Sequence, residues 1–136
     1  MRALIWGALL LLAVGCGRGG DGTRKVNLLI SGVDFGSYDG LNVFTALTVL
    51  GSSSVPDESS AVISDNGWEV VYRSILTPGV DYTLSYFVDD NQNGLCDEPP
   101  DDPGWTKTIT DVTTQVNLEV SVSDTQSDPC DPFQSP

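Results

Sequence analysis

Short segments of alternating apolar and polar residues, separated by turn residues about every ten positions, fill the chain between residues 24 and 122. The clearest are Val80 to Val88 and Gln115 to Val122, in which every second residue from Tyr82 and from Val116 onward is apolar or aromatic. A period of two is that of a half-buried β-strand. About seven such segments predict an all-β domain over residues 24–122, in which two sheets pack as a β-sandwich.

Two segments have less regular patterns. Leu41 to Leu50 carries apolar residues on both faces, which predicts a central strand, with a helix as the competing interpretation. Gly51 to Ser60 (GSSSVPDESS) has the composition of a surface loop. Residues 123–136 are polar and proline-rich, and they predict a tail without regular structure except where Cys130 holds it.

The first fifteen residues have the layout of a secretory signal peptide, since a basic residue precedes an apolar run that is too short to span a membrane. The run ends in Ala13-Val14-Gly15-Cys16, which resembles the lipobox of bacterial lipoproteins. The resemblance implies that Cys16 becomes the lipidated first residue of the mature chain. Ordinary signal cleavage near Gly15, with Cys16 left as a thiol, is the alternative.

Residues 16–23 would then form the lipidated cysteine and a flexible tether, because Gly17 to Thr23 (GRGGDGT) contains no apolar residue. The resemblance places the protein in the cell envelope of a bacterium, anchored to a membrane through lipid. Gly17 after the cysteine is compatible with sorting to the outer membrane.

The charge of the chain excludes nucleic-acid binding as a function. A net charge of −13 at pH 7 predicts repulsion from nucleic acid and from anionic lipid headgroups. The chain also lacks histidine, a G-x-S-x-G motif and cysteines at zinc spacing, so no enzymatic activity is expected.

Cys96 and Cys130 remain when Cys16 carries lipid, and an even pair in an exported protein predicts a disulfide. Two free thiols are the alternative. A bridge between them would join the C-terminal tail to an acidic loop.

That loop begins with Asp89-Asp90-Asn91-Gln92-Asn93-Gly94, which matches the first half of the D-x-[DN]-x-[DN]-G calcium pattern. Calcium takes six to eight oxygen ligands, and oxygens on alternate residues of a tight loop can converge on one point. The spacing predicts calcium as the cofactor and five ligands: Asp89, Asn91, Asn93, the backbone carbonyl of Leu95, and Asp97.

The loop departs from the EF-hand at the twelfth position, where Pro100 replaces the bidentate glutamate, and its flanks predict a strand and a loop instead of helices. The missing carboxylate could come from Glu98, Asp101 or Asp102, or from the loop with Asp34 and Asp39. A solvated acidic loop without metal is the competing interpretation. Two amide ligands predict an affinity on the order of 10⁻⁴–10⁻³ M, and magnesium fits less well.

The strand before the loop, Pro78-Gly79-Val80-Asp81-Tyr82-Thr83-Leu84, resembles one in transthyretin-like and immunoglobulin-like domains of bacterial surface proteins. The resemblance implies a β-sandwich in which this strand leads into a D-x-N-x-N-G loop. Because an ion in that loop would rigidify one end of a small sandwich, the expected function is a calcium-stabilised structural or interaction module. The alternative function is a carbohydrate- or ligand-binding module at the cell surface. Trp105 follows Pro103-Gly104 beside the acidic loop, which predicts an exposed ligand contact, whereas alternation with Val70 predicts that Trp68 packs in the core.

Overall fold

A computed structural model of the chain describes residues 24–134. The predicted signal peptide, Cys16 and the tether lie outside the described residues. Within them, no helix has the length and apolarity that crossing a membrane requires. The strands are β1 (Val26–Val33), β2 (Asn42–Val49), β3 (Asp57–Val62), β4 (Trp68–Leu76), β5 (Tyr82–Val88), β6 (Gly104–Ile109) and β7 (Val116–Ser121), with short 3₁₀ helices at Gly36–Tyr38 and Asp131–Gln134.

The seven strands form two sheets, which confirms the predicted two-sheet β-sandwich. One sheet has three strands in the order β4-β1-β7, and the other has four in the order β3-β2-β5-β6. All neighbouring strands are antiparallel except β1 and β7, which run parallel. The edges of the four-stranded sheet are β3 and β6, and the edges of the three-stranded sheet are β4 and β7.

The core lies between the sheets and is rich in aromatic residues. The alternating residues of β4 and β5 point into it, as their period predicts: Trp68, Val70, Tyr72, Tyr82, Leu84, Tyr86 and Val88 are all buried. Trp68 is thus a core residue, as its alternation with Val70 predicts. Burial of this apolar surface is the main source of stability for a small sandwich.

One core residue also joins the two sheets through hydrogen bonds. The Tyr72 hydroxyl on β4 lies 2.7 Å from the Thr45 hydroxyl on β2, and it donates to the Asp57 carbonyl of β3 at 3.2 Å. Burial raises the pKa of Tyr72 to about 12, so the phenol stays protonated and able to donate at every physiological pH.

The segment Leu41 to Leu50 forms strand β2, which confirms the predicted strand and excludes the competing helix. Two predicted boundaries are wrong. The three glycines and two aspartates of Ser31 to Gly40 predict a loop there, but strand β1 continues to Val33. Strand β3 begins at Asp57, inside the predicted surface loop, because backbone pairing with β2 stabilises an edge strand whose side chains are mostly polar.

Candidate metal centre

The acidic loop, residues 89–103, connects β5 to β6 at one end of the sandwich. Its base is closed by two backbone hydrogen bonds, in which Val88 N–H donates to the Pro103 carbonyl at 3.0 Å and Asp89 N–H donates to the Asn42 carbonyl at 3.0 Å. Both ends of the loop are therefore fixed to the four-stranded sheet.

The buried carboxylate of Asp89 organises the first turn of the loop. Its Oδ1 accepts the Asn93 N–H at 3.0 Å, and its Oδ2 accepts the Gly94 N–H at 2.9 Å. Gly94 has a φ of +74°, a left-handed conformation that glycine adopts without steric cost. The chain therefore folds back over Asp89.

The side chains of Asn91 and Asn93 meet at the carboxylate of Asp97. Both amide nitrogens donate to Asp97 Oδ2, each at 2.7 Å. These two bonds hold the pKa of Asp97 below its usual value, and the bond from Asn91 has the larger effect. Asp97 is thus an ionised carboxylate at neutral pH, and two predicted amide ligands lie within hydrogen-bond distance of it.

Leu95 lies on the same turn, and its N–H donates to Asn93 Oδ1 at 2.7 Å. The five predicted ligands, Asp89, Asn91, Asn93, Leu95 and Asp97, therefore lie in one hydrogen-bonded loop. Among residues 24–134, no three Asp, Glu, His or Cys side chains are grouped so that they could hold a metal. The predicted set has a different composition, since only Asp89 and Asp97 contribute carboxylates and the other oxygens come from amides or the backbone.

Asp102 joins the two halves of the loop. It is fully buried, its Oδ1 accepts the Asp90 N–H at 3.0 Å, and its Oδ2 accepts the Asp97 N–H at 3.2 Å. Burial raises the pKa of Asp102 above its usual value, the nearby Asp89 carboxylate adds to the rise, and the backbone donors oppose it. In the sequence, Asp102 is one of several candidates for the missing calcium ligand. Its position in the sequence does not indicate that its carboxylate organises the backbone of the loop.

The other carboxylates considered as the missing ligand are in different surroundings. Glu98 and Asp101 are exposed, at the outer turn of the loop, where Asp101 N–H donates to the Glu98 carbonyl at 3.1 Å. Asp39 Oδ1 accepts the Asn66 N–H at 3.1 Å, which connects the β1–β2 and β3–β4 loops. The structure therefore gives Asp39 a role in a neighbouring turn, outside the acidic loop.

The predicted disulfide is confirmed. Cys96 in the acidic loop is bonded to Cys130 in the tail, and their Cα atoms are 5.4 Å apart. Three residues further on, Phe133 packs edge-on against Phe87 of β5, with ring centroids 4.9 Å apart. Phe87 stacks in turn on Phe44 of β2, so the tail lies over the outer face of the four-stranded sheet.

The prediction that Trp105 is an exposed ligand contact is wrong. Trp105 is 0% exposed, and its ring stacks on Tyr86 at a centroid distance of 5.2 Å. Its Nε1 donates to the Asp124 carbonyl of the tail at 3.0 Å. The tail also binds the start of β6, where Ser127 N–H donates to the Gly104 carbonyl at 3.0 Å. Sequence patterns place Trp105 beside turn residues but do not show that the tail covers it.

Comparison of the chain with protein-family models, with curated proteins and with solved structures gave no match.

Proposed function

We propose that this protein is a lipid-anchored protein of the bacterial cell envelope whose β-sandwich is stabilised by calcium and serves as a structural or interaction module. The observation that supports the calcium site is that hydrogen bonds link Asp89, Asn91, Asn93 and Asp97 within one loop. The lipid anchor rests on the resemblance of Ala13 to Cys16 to a lipobox.

The composition of the loop suits a hard cation. Oxygen is the donor that calcium prefers, and the ionised Asp97 carboxylate supplies charge beside two amides. The amide oxygens of Asn91 and Asn93 each accept one backbone N–H, from Asn93 at 3.0 Å and from Leu95 at 2.7 Å, and a carbonyl oxygen has a second lone pair. These oxygens can therefore also face a cation beside Asp97 without loss of the turn. When bound, calcium would neutralise the Asp97 charge that the amide donors now balance.

The rest of the loop limits the cost of binding. The Asp89 carboxylate and the Asp102 carboxylate each hold two backbone N–H groups, so the backbone turn is formed by the chain itself. A preorganised loop loses less conformational entropy when a ligand binds. The five predicted oxygens leave further positions to water, which agrees with an affinity on the order of 10⁻⁴–10⁻³ M.

Calcium at 5 mM should raise the melting temperature of the chain from residue 16 onward, carrying Cys16→Ser, above its value in EDTA. At that affinity, binding to the folded state alone adds about 1–2 kcal/mol of stability. For a domain of this size we expect a rise of roughly 4–10 °C, measured by circular dichroism, and a smaller rise with 5 mM magnesium.

Two variants separate coordination from general electrostatics. Asp97→Asn should lose most of the calcium-dependent rise. Asp90→Asn removes the same charge from the same loop, but the Asp90 side chain is exposed and outside the predicted ligand set, so the rise should remain. No rise in the parent chain, or equal losses in the two variants, would contradict the calcium site.

Lipidation is tested on the full chain expressed in a bacterium. Intact-mass and peptide spectrometry should find diacylglycerol on Cys16 as the first residue, and the protein should partition into Triton X-114. Cys16→Ser should leave the protein without lipid. An unmodified Cys16 thiol in the exported parent chain would argue for ordinary signal cleavage.

A further inference from the structure

The end of the sandwich at which β1 begins, called the tether end below, lies opposite the acidic loop. Val26 at the start of β1 pairs with Leu76 at the end of β4, whereas Gly32 pairs with Trp68 at the other end. A short turn leads from Leu76 to Tyr82 at the start of β5, and β5 then runs to Val88, where the acidic loop begins. The length of a seven-residue strand, about 20 Å, separates the two ends.

Charge is distributed unevenly between these ends. The basic residues among those described are Arg24, Lys25, Arg73 and Lys107, and the first two directly precede β1. Arg73 lies near the tether end, since the next residue, Ser74, donates its N–H to Asn27 Oδ1 at 2.8 Å. Lys107 is instead paired with Asp124 at 3.0 Å. Three of the four bases therefore belong to the tether end.

A cleft of about 500 Å³ opens at the tether end. Its lining contains two bases, Arg24 and Lys25, and no acid. The other polar side chains of the lining are amides and hydroxyls, those of Asn27, Ser74, Thr113, Thr114 and Gln115. Arg24, Lys25 and Arg73 are exposed. Guanidinium, ammonium and hydroxyl groups around an open cleft are the donors that phosphate oxygens accept from.

The acids nearest this end lie outside the cleft. Asp81 and Asp111 are in the adjoining turns, and Asp57 of β3 pairs with Leu47 in the other sheet. Asp131 of the tail lines a separate cleft with Thr48 and Ser52, at the end of β2. The six carboxylates of the acidic loop are about 20 Å away, more than two Debye lengths at physiological ionic strength, where that length is about 8 Å. The net charge of −13 predicts repulsion from anionic headgroups, but a surface at the tether end responds mainly to the local charges.

We propose that the tether end, with Arg24, Lys25 and Arg73, docks on anionic phospholipid headgroups and directs the acidic loop away from the membrane. The proposal rests on the lipid anchor of the proposed function, since Arg24 lies eight residues after Cys16 in the sequence. Each lysine or arginine near an anionic bilayer raises the membrane-binding constant roughly five-fold. This gain is too small to hold a free domain at the membrane, but it is sufficient to orient a domain that a lipid anchor already holds there.

The test anchors the chain chemically. The chain from residue 16 onward contains every described residue, and Cys16 is its one cysteine outside the disulfide, so it can be coupled to a maleimide lipid in vesicles. Acetylation of the two lysines, Lys25 and Lys107, is then followed by mass spectrometry in calcium-free buffer. The vesicles consist of phosphatidylcholine alone, which is neutral, or of phosphatidylcholine with about one-third phosphatidylglycerol, which is anionic. For each lysine, the acetylation rates on the neutral and the anionic vesicles are compared.

Lys25 should be acetylated roughly 3–10-fold more slowly on the anionic vesicles, whereas Lys107 should react equally on both. Sodium chloride at 0.5 M should remove the difference. The double variant Arg24→Gln and Arg73→Gln should reduce the protection of Lys25 several-fold, and Lys107→Gln, which also removes one base, should leave it unchanged.

Equal Lys25 rates on the two vesicles, or equal slowing of both lysines, would overturn the proposal. Protection of Lys25 by 10 mM inorganic phosphate on neutral vesicles would assign the cleft to a free anion and overturn lipid docking as well. Because the anchor is attached chemically and calcium is absent, neither outcome depends on natural lipidation or on the metal site. Failure of this proposal is thus distinguishable from failure of the proposed function.

Discussion

Replacing Trp105 by alanine is expected to lower the free energy of unfolding by about 3–5 kcal/mol. Trp105 is the largest of the fully buried side chains among the described residues. Its ring stacks on that of Tyr86, and its centroid lies 5.7 Å from that of the Phe35 ring. Alanine would leave a large cavity at the centre of the aromatic core. It would also leave the Asp124 carbonyl without the indole donor that holds the tail against β6.

Denaturant unfolding and thermal melting of the chain from residue 16 onward would measure this loss, which corresponds to roughly 10–25 °C in melting temperature. Trp105→Phe is the matched control, because it keeps an aromatic ring in the core while it removes the hydrogen bond and a smaller volume than alanine does. We expect it to cost about 1–2 kcal/mol. A melting temperature within 2 °C of the parent for Trp105→Ala would show that the indole lies at the surface and would restore the ligand-binding interpretation.

The strands with one buried face are the part of the fold that the sequence predicts well. In strand β4, Trp68, Val70 and Tyr72 face the core and alternate with exposed residues, so the period of two in the sequence predicts the strand. Strand β3 is different. Its side chains are largely exposed, so the hydrophobic effect leaves no period in the sequence, and its position depends on backbone bonds to β2 that no local pattern encodes.

The acidic loop shows the same division. The turn at Asp89 to Gly94 can be predicted, since oxygen side chains and glycine at that spacing fold locally. The disulfide follows from the count of cysteines in an exported chain. The roles of Asp102 and Trp105 depend on burial by residues distant in sequence, and the tail that covers Trp105 is polar and rich in proline. Composition alone gives no sign that such a segment is packed.

Removing the disulfide, through Cys96→Ser with Cys130→Ser, is expected to lower the free energy of unfolding by about 3–4 kcal/mol. The bond closes a loop across a sequence separation of 34 residues, and the chain-entropy model gives this range for a loop of that length. Urea unfolding of the chain from residue 16 onward, with Cys16→Ser, would measure it. Phe133→Ala, which also weakens the attachment of the tail but leaves the bridge intact, should cost less, since Phe133 is only partly buried.

The same variant also tests whether the bridge and the ion site support each other. Cys96 lies between Leu95 and Asp97, two of the predicted ligands, so without the bridge the loop should sample more conformations and lose more entropy on binding calcium. The rise in stability is the difference between the free energies of unfolding in calcium and in EDTA. By linkage, this difference should be smaller in the double serine variant than in the parent. An unchanged rise would show that the hydrogen bonds of Asp89 and Asp102 order the ligands by themselves. The disulfide would then fasten only the tail.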